Sequence, residues 1–600
     1  MAFALWLTIA GAFVEIAILF FQKRANPLLR LSEDFVWMAP LMLLSIALAI
    51  AAVGSVAALV WRSGPGRSLA LVATAAVVFV NLLLLVPGLA HYAAALVAIG
   101  LGIQTTRMVA RHPVKATRLV RRSAPIILAA MLVFGAVAWT LLRPAAGPSG
   151  STTPGAARPP NVLFITLDTV RAASLSLYGY SRNTTPNLDR FAARGSVFDH
   201  AITSSPWTLP SHASMFTGRW AHELSADYLT PLDSKHPTLA EYLGRNGYTS
   251  AGFVANLGYS SHETGLGRGF HHYEDYPRSA GQIASSSTVA RTLADNFRLR
   301  ALVEDDEHLS RVPAEDLNRR ALDWIGSHAG APFFVFLNYF DAHEPYLPPP
   351  PFDRKFGPGR ARGRYSPLHR WLWDPQLAET RLDDAQRQEE IDAYDGALAY
   401  LDDQVGRLFA DLERRGLLAG TIVIITADHG EEFGEHGVYE HGYSLYRAAV
   451  HVPLIVVAPG SASFPRRIGT AVSLRSIAAT VADLAGLARG SPFPGASLVP
   501  LLQAGSPAAA AFAEPLLSEV SRAPGHPDWF PTSKGDMKAV AFDGVRYIRG
   551  GDASEELYEF GSDVWETRNL AALPEHRARL EASRALLDRL VSGGKPGGSR

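Results

Sequence analysis

The sequence predicts an α/β sandwich around a mostly parallel central sheet. A small C-terminal antiparallel subdomain completes it, and an all-α transmembrane bundle precedes it. Three observations predict this. Five long apolar runs fill the first 145 residues. From residue 161 to 490, apolar runs of strand length alternate with helical patterns, the order that builds parallel sheets covered by helices. Residues 538–558 then alternate with the period of short antiparallel strands.

Composition narrows the possible functions. Six hundred residues at 48% hydrophobic content hold more than one domain. Lys and Arg number 56, and Asp and Glu number 56, so no basic surplus marks a nucleic acid partner. The sequence has no cysteine, which excludes disulfides, thiolate metal sites and a cysteine nucleophile.

The apolar runs cover residues 3–21, 36–61, 69–86, 89–103 and 126–142. The main ones approach the roughly 20 residues that cross the hydrocarbon of a bilayer. Glu15 alone interrupts the first run, and is either functional or turned to the bundle interior. No small-residue cleavage site follows, so the run reads as a retained span and not as a signal peptide. Arg107, Arg111, Lys115, Arg118, Arg121 and Arg122 read as a basic, hence cytoplasmic, loop between the fourth and fifth spans. Arg62 and Arg67 add to that side; Lys23, Arg24 and Arg30 oppose it. Five spans place the N-terminus in the cytoplasm and the chain after residue 142 on the outer, periplasmic or extracellular, side of the cell membrane. The expected division is a transmembrane domain over 1–145, a Pro/Gly/Ser/Thr-rich linker over 146–160, a catalytic core over 161–490, a C-terminal subdomain over 491–592 and a disordered tail over 593–600.

Within the core, N-V-L-F-I-T-L-D at residues 161–168 suits a strand buried on both faces. Thr185-Pro186 opens a helix that Gly195 closes. Thr238 opens another, with Glu241 set for a capping box. Strand-like runs follow at residues 249–255, 333–338, 421–426 and 453–458, and residues 384–415 form a long helical pattern that Gly416 stops. Residues 276–312 and 348–383 read as irregular loops, and residues 575–591 as a last helix.

The chemistry gathers at strand ends, where ligands sit in open α/β sheets. Asp168 ends the first strand, and Asp428 and His429 end T-I-V-I-I-T-A-D-H-G. Thr208 lies in P-W-T-L-P-S-H-A-S-M-F-T-G, residues 206–218, at the start of a predicted helix. There the dipole and N–H groups lacking partners favour an anion. Two carboxylates, an imidazole and a hydroxyl suit a divalent cation, with Asp168, Thr208, Asp428 and His429 as ligands. The imidazole favours Mn²⁺ or Zn²⁺ over Ca²⁺, which is still open. Such a cation would activate Thr208 as a nucleophile. His343 lies in F-D-A-H-E-P-Y, and His436 and His441 lie in G-E-E-F-G-E-H-G-V-Y-E-H-G. These imidazoles could protonate a leaving alkoxide, bind a second metal or bind the oxygens of the anion.

From residue 160 to about 570 the chain resembles the sulfatase family of the alkaline-phosphatase superfamily. Thr208-Leu209-Pro210-Ser211-His212, ending in Thr217-Gly218, is similar to the family signature of Cys or Ser, any residue, then Pro-Ser-Arg. Asp168 matches the acidic end of the family's first strand, and Asp428-His429-Gly430-Glu431 its second metal motif. Leu557-Tyr558, Asp563, Glu566 and Asn569-Leu570 echo its C-terminal signature. The resemblance implies an alkaline-phosphatase/sulfatase-like fold, a metal-dependent ester hydrolase and catalytic roles for Thr208, His343 and His441. It puts His212 at the signature Arg, and Asn256 in the stretch that carries the family's Lys and His. Together with His436, they are expected to contact substrate. No formylglycine is expected, since oxidised Thr208 would give a ketone. Thr169 stands where the family has a second Asp.

The chain is also similar to membrane phosphoethanolamine transferases and lipoteichoic-acid synthases, in its five spans and Thr nucleophile. Residues 430–442 share the ending of the transferases' G-x-x-x-G-x-x-G-x-x-x-H-G motif, which puts His441 on a substrate-binding histidine. The expected substrate is an anionic phosphate or sulfate ester, with lipids and glycans among the candidates. Transfer of a phospho-substituent to a cell-envelope acceptor, and a non-catalytic membrane-tethered binding protein, are the alternatives. Oligomeric state is not indicated.

Overall fold

The computed structural model describes residues 2–25, 34–60, 65–142, 158–228, 230–275, 283, 286–294, 311–359, 368, 381–503, 506, 509, 512–523 and 529–592. Most of the expected linker, most of the two irregular stretches and the C-terminal tail lie outside these residues. The chain forms two compact units, one of Met1–Pro144 with Tyr276–Ser310 and one of Ala145–Asp275 with Arg311–Arg600.

The first unit contains the helices Ala2–Ala25, Phe35–Val60, Pro65–Leu83, His91–Arg111 and Pro113–Leu142. Four are long and apolar enough to cross a membrane, and the apolar part of Pro65–Leu83 is shorter. A Cβ on Gly102 would lie 2.7 Å from the Val72 carbonyl oxygen; only glycine permits that approach of two helices. The six basic residues read as a loop lie instead in the two helices that meet at His112. Pro113 takes the first position of the second of these helices, where its missing N–H costs nothing.

Glu15 is buried. Its Oε1 accepts the Thr288 amide at 2.7 Å and the Thr288 hydroxyl at 2.8 Å. Asn81 Oδ1 accepts the Val289 amide at 2.7 Å. The short helix Thr288–Ala294, far along the sequence from the other five, is thus capped by side chains of the N-terminal helices.

The second unit holds an eight-stranded sheet among the described residues. Its order is Arg467–Ile468, Ser196–Phe198, Leu454–Val457, Thr421–Thr426, Asn161–Leu167, Phe333–Tyr339, Thr249–Val254 and His272–Glu274. Leu454–Val457 runs antiparallel to both of its neighbours, and every other pairing is parallel. The Asn161–Leu167 strand is buried along its whole length, as its unbroken apolar pattern predicts. Register places the site. Thr166 pairs with Asn338 and Thr426, and Asn338 pairs with Val254. Asp168, Asp428 and Asn256 therefore each stand two residues beyond one level line across four parallel strands.

Helix ends follow their caps. Thr238 accepts from Glu241 N and Glu241 answers, in the expected capping box. Asp383 and Gln386 form another at the start of Asp384–Arg414. The Pro186–Ala192 helix is different: Thr185 makes no cap bond. Asp402 of the long helix accepts the Asn187 and Leu188 amides at 2.9 and 2.8 Å instead. At the C-terminal end, Leu516–Val520, Met537–Phe542, Val545–Arg549 and Glu555–Glu559 form a four-stranded antiparallel sheet. The helix Arg577–Val591 packs on it through Leu580 and Leu587.

Candidate metal and nucleophile site

Two loops leave adjacent parallel strands and bring Asp168, Asp428 and His429 together. Among the described residues, these three form the one group of acidic or histidine side chains whose donor atoms fall within 4.8 Å of one another. All three are fully buried. Thr169, with φ 60°, turns the first loop. Its amide reaches Asp428 Oδ1 at 3.3 Å, and its hydroxyl donates to the Asp168 carbonyl at 2.7 Å. The residue standing in place of a second Asp thus holds the Asp428 carboxylate through its backbone and the Asp168 main chain through its side chain.

Thr208 begins the helix Thr208–Thr217, and no side chain caps that end. Its Oγ lies 3.2 Å from His429 Nε2 and accepts the Asn256 amide at 3.4 Å. The Asn256 amide also donates to Asp168 Oδ2 at 2.9 Å. His429 Nδ1 donates to the Gly430 carbonyl at 3.1 Å. A carbonyl only accepts, so the neutral ring turns the Nε2 lone pair toward Thr208 and the carboxylates.

The electrostatics suit a cation. Burial, and then the charge of Asp168, hold Asp428 well above the usual carboxylate range. Burial lifts Asp168 to about 6, although the Asn256 and Asn338 amides oppose it. Burial, and then His441, keep His429 far below 6.5 and neutral. Asp168 Oδ1 and Asp428 Oδ2 are buried without a hydrogen-bond partner. Two such oxygens beside an imidazole lone pair and a hydroxyl are the donors a divalent metal takes.

The remaining predicted residues separate into two groups. His441 stacks on His429 at 4.4 Å between ring centroids and meets His343 at 4.9 Å. Its Nδ1 is 3.0 Å from Glu431 Oε1. Burial opposes charge on His441, but Glu431 and then Asp168 outweigh it and hold the ring above 6.5. His343 donates Nδ1–H to the Glu344 carbonyl at 2.8 Å, and burial and His441 keep it well below 6.5.

His212 is beside the site but turned into the fold. Its Nδ1 donates to the Thr208 carbonyl at 2.8 Å and its Nε2 meets the Thr166 hydroxyl at 3.1 Å. Both nitrogens are used inside the fold, and burial lowers the ring to about 4. This corrects the expectation of a substrate contact. His436 is corrected more fully: at φ 55° it turns outward, stacks on Tyr446 at 3.7 Å and reaches the Trp565 carbonyl at 2.9 Å. Sequence reasoning missed Asn338, and it named Glu431 only as part of the second metal motif, without its contact to His441. Asn338 is the one amide in the otherwise apolar Phe333–Tyr339 strand, and it donates to Asp168 Oδ2 at 3.3 Å. Its isolation in that run was the signal.

The sulfatase family model matches residues 160–487. A sulfatase of Formosa agariphila is 25% identical over 467 residues, covering 71% of this chain and 86% of that protein. The phosphonate monoester hydrolase structure of Agrobacterium radiobacter aligns with a TM-score of 0.56 at 21% identity, covering 72% of this chain and 96% of that one. A structure solved with its substrate D-glucosamine-2-N,6-O-disulfate aligns with a TM-score of 0.57 at 20% identity, covering 73% and 99%.

Proposed function

Because this chain belongs to the sulfatase family, we propose that it is a metal-dependent ester hydrolase in which Thr208 is the nucleophile. The observation that carries this reading is a single one. The Thr208 hydroxyl is buried at the start of its helix, 3.2 Å from His429 Nε2, beside two carboxylates with unpartnered oxygens. A divalent cation held by Asp168, Asp428, His429 and Thr208 Oγ, Mn²⁺ or Zn²⁺ by its mixed donors, would lower the pKa of the hydroxyl and offset the charge of the ester. Thr208 Oγ gives up its proton to water and forms a bond to phosphorus or sulfur as the bond to the leaving oxygen breaks. His441, kept protonated by Glu431, gives that oxygen its proton. Asn256 steadies Thr208, and His343 lies next to His441. Water then attacks the Thr208 ester and returns a proton to His441, and the departing Thr208 oxygen takes a proton from solvent to restore the hydroxyl.

Phosphorus is the favoured centre, since a threonine cannot become the aldehyde that sulfatases use. The N-terminal helices embed the chain in the cell membrane, with the N-terminus in the cytoplasm and the catalytic unit outside. The basic residues around His112 support that sense. Transfer to an acceptor alcohol in place of water is a second outcome of the same intermediate.

The test is a panel of sulfate monoesters, phosphate monoesters and phosphodiesters with Mn²⁺ or Zn²⁺, with and without an alcohol. Rapid quenching should show the substituent on the peptide containing Thr208. Modification elsewhere, or none during turnover, refutes the reading. A second expectation concerns pH. Glu431→Gln removes the anion that holds His441 protonated, so the alkaline limb of kcat/KM should move to lower pH by about one unit. An unmoved limb would mean that another group supplies the proton.

A further inference from the structure

Next to the nucleophile is a group of side chains that the hydrolytic chemistry does not use. Trp207, the residue before Thr208, stacks on Tyr228 at 4.2 Å and meets the edge of Tyr259 at 5.0 Å. Tyr228 and Tyr259 are 6.3 Å apart. Trp207 also lies 5.5 Å from the His441 ring. Glu440, the neighbour of His441, is 7% exposed, and its Oε1 is buried with no hydrogen-bond partner. It is near enough to Tyr228 and Tyr443 to bear on both hydroxyls. The charges that act on it most are those of Glu344, Glu431 and Glu390, all carboxylates.

Burial and those neighbours hold the Glu440 carboxyl well above the usual carboxylate range, and a cation beside it would offset the cost of its charge. Glu440 belongs to no group of three metal donors among the described residues. Tyr228 and Tyr443 lie within reach of its charge, and aromatic rings attract alkylammonium groups electrostatically. We propose that Trp207, Tyr228, Tyr259 and Glu440 form a subsite for a positively charged alkylammonium group carried on the ester that Thr208 attacks. This deepens the hydrolase reading and rests on it. The substrate class becomes a zwitterionic ester, anionic at phosphorus and cationic a few bonds away. A phospholipid headgroup and a soluble aminoalkyl ester share that chemistry.

Two measurements on the full chain separate the subsite from the reaction. Calorimetry with tetramethylammonium chloride should show saturable binding to the wild type, at least about ten-fold weaker in Glu440→Gln. No binding to the wild type, or equal binding to both proteins, overturns the subsite whatever the activity. In turnover, p-nitrophenyl phosphocholine should exceed its neutral carbon isostere, p-nitrophenyl 3,3-dimethylbutyl phosphate, by about ten-fold or more in kcat/KM. That ratio should fall toward one in Glu440→Gln. A ratio near one in the wild type overturns the subsite and leaves the hydrolase reading standing. Failure of both esters with cation binding intact overturns the hydrolase reading and leaves the subsite. Vesicles of phosphatidylcholine against vesicles of phosphatidylglycerol identify the source. Headgroup release from the first alone places the substrate in a bilayer, and turnover of the soluble ester alone places it in solution.

Discussion

Thr208→Ala should lower kcat/KM by about 10⁴-fold or more while the protein stays folded and keeps its metal. The hydroxyl is the one oxygen that touches both His429 and the Asn256 amide, and alanine has nothing to bond to phosphorus. The fold should tolerate the change. Thr208 is the first residue of its helix and caps nothing, and alanine is the better helix former. The lost hydrogen bonds cost on the order of 1 kcal/mol. Thr208→Ser restores an oxygen at the same place and should recover most of the rate. The measurements are steady-state kinetics, thermal melting and metal content on the same samples. A folded Thr208→Ala protein retaining more than a few per cent of activity rules out this nucleophile.

Asp428→Asn should be the second large loss, of metal as well as of rate. It removes a charged ligand whose Oδ2 has no hydrogen-bond partner, and affinity should fall by more than about 100-fold, the upper range for groups that merely support a ligand. Stability should change in the opposite sense when the metal is stripped. Burial and Asp168 hold the folded Asp428 carboxyl well above its unfolded value. The folded state then binds more protons than the unfolded one, and stability falls as pH rises above the unfolded pKa. Asparagine lacks that cost. In chelator at neutral pH the variant should melt above the wild type, and with saturating Mn²⁺ or Zn²⁺ it should melt below. The same melting order under both conditions would mean that Asp428 holds no cation.

The candidate metal site was legible because its residues end recognisable strands. An unbroken apolar run closing on Asp168, and another closing on Asp428-His429, place two carboxylates at one edge of a parallel sheet before any geometry is known. Register turns that into proximity, and Asn256 joins them because its strand stops at the same level. Direction was not legible. His212 lies one turn after Thr208 on the helix, yet its ring points into the sheet toward Thr166. His436 and His441 share one glycine-rich stretch, but the left-handed residue at His436 sends the two rings to different places. Spacing in a loop carries no information about φ. The basic residues from Arg107 to Arg122 were misread for a related reason: charge marks exposure, and exposed helix ends serve as well as a loop.

The grip of Glu15 and Asn81 on Thr288 and Val289 bears on what a cut in the linker would release. The N-terminal helices retain the remainder of the polypeptide twice, once through the peptide bonds before Pro160 and once through a buried carboxylate and amide. A protease that nicks the chain between residues 145 and 158 severs only the first attachment. Release needs the second to let go as well, so a chain clipped there stays with its N-terminal helices.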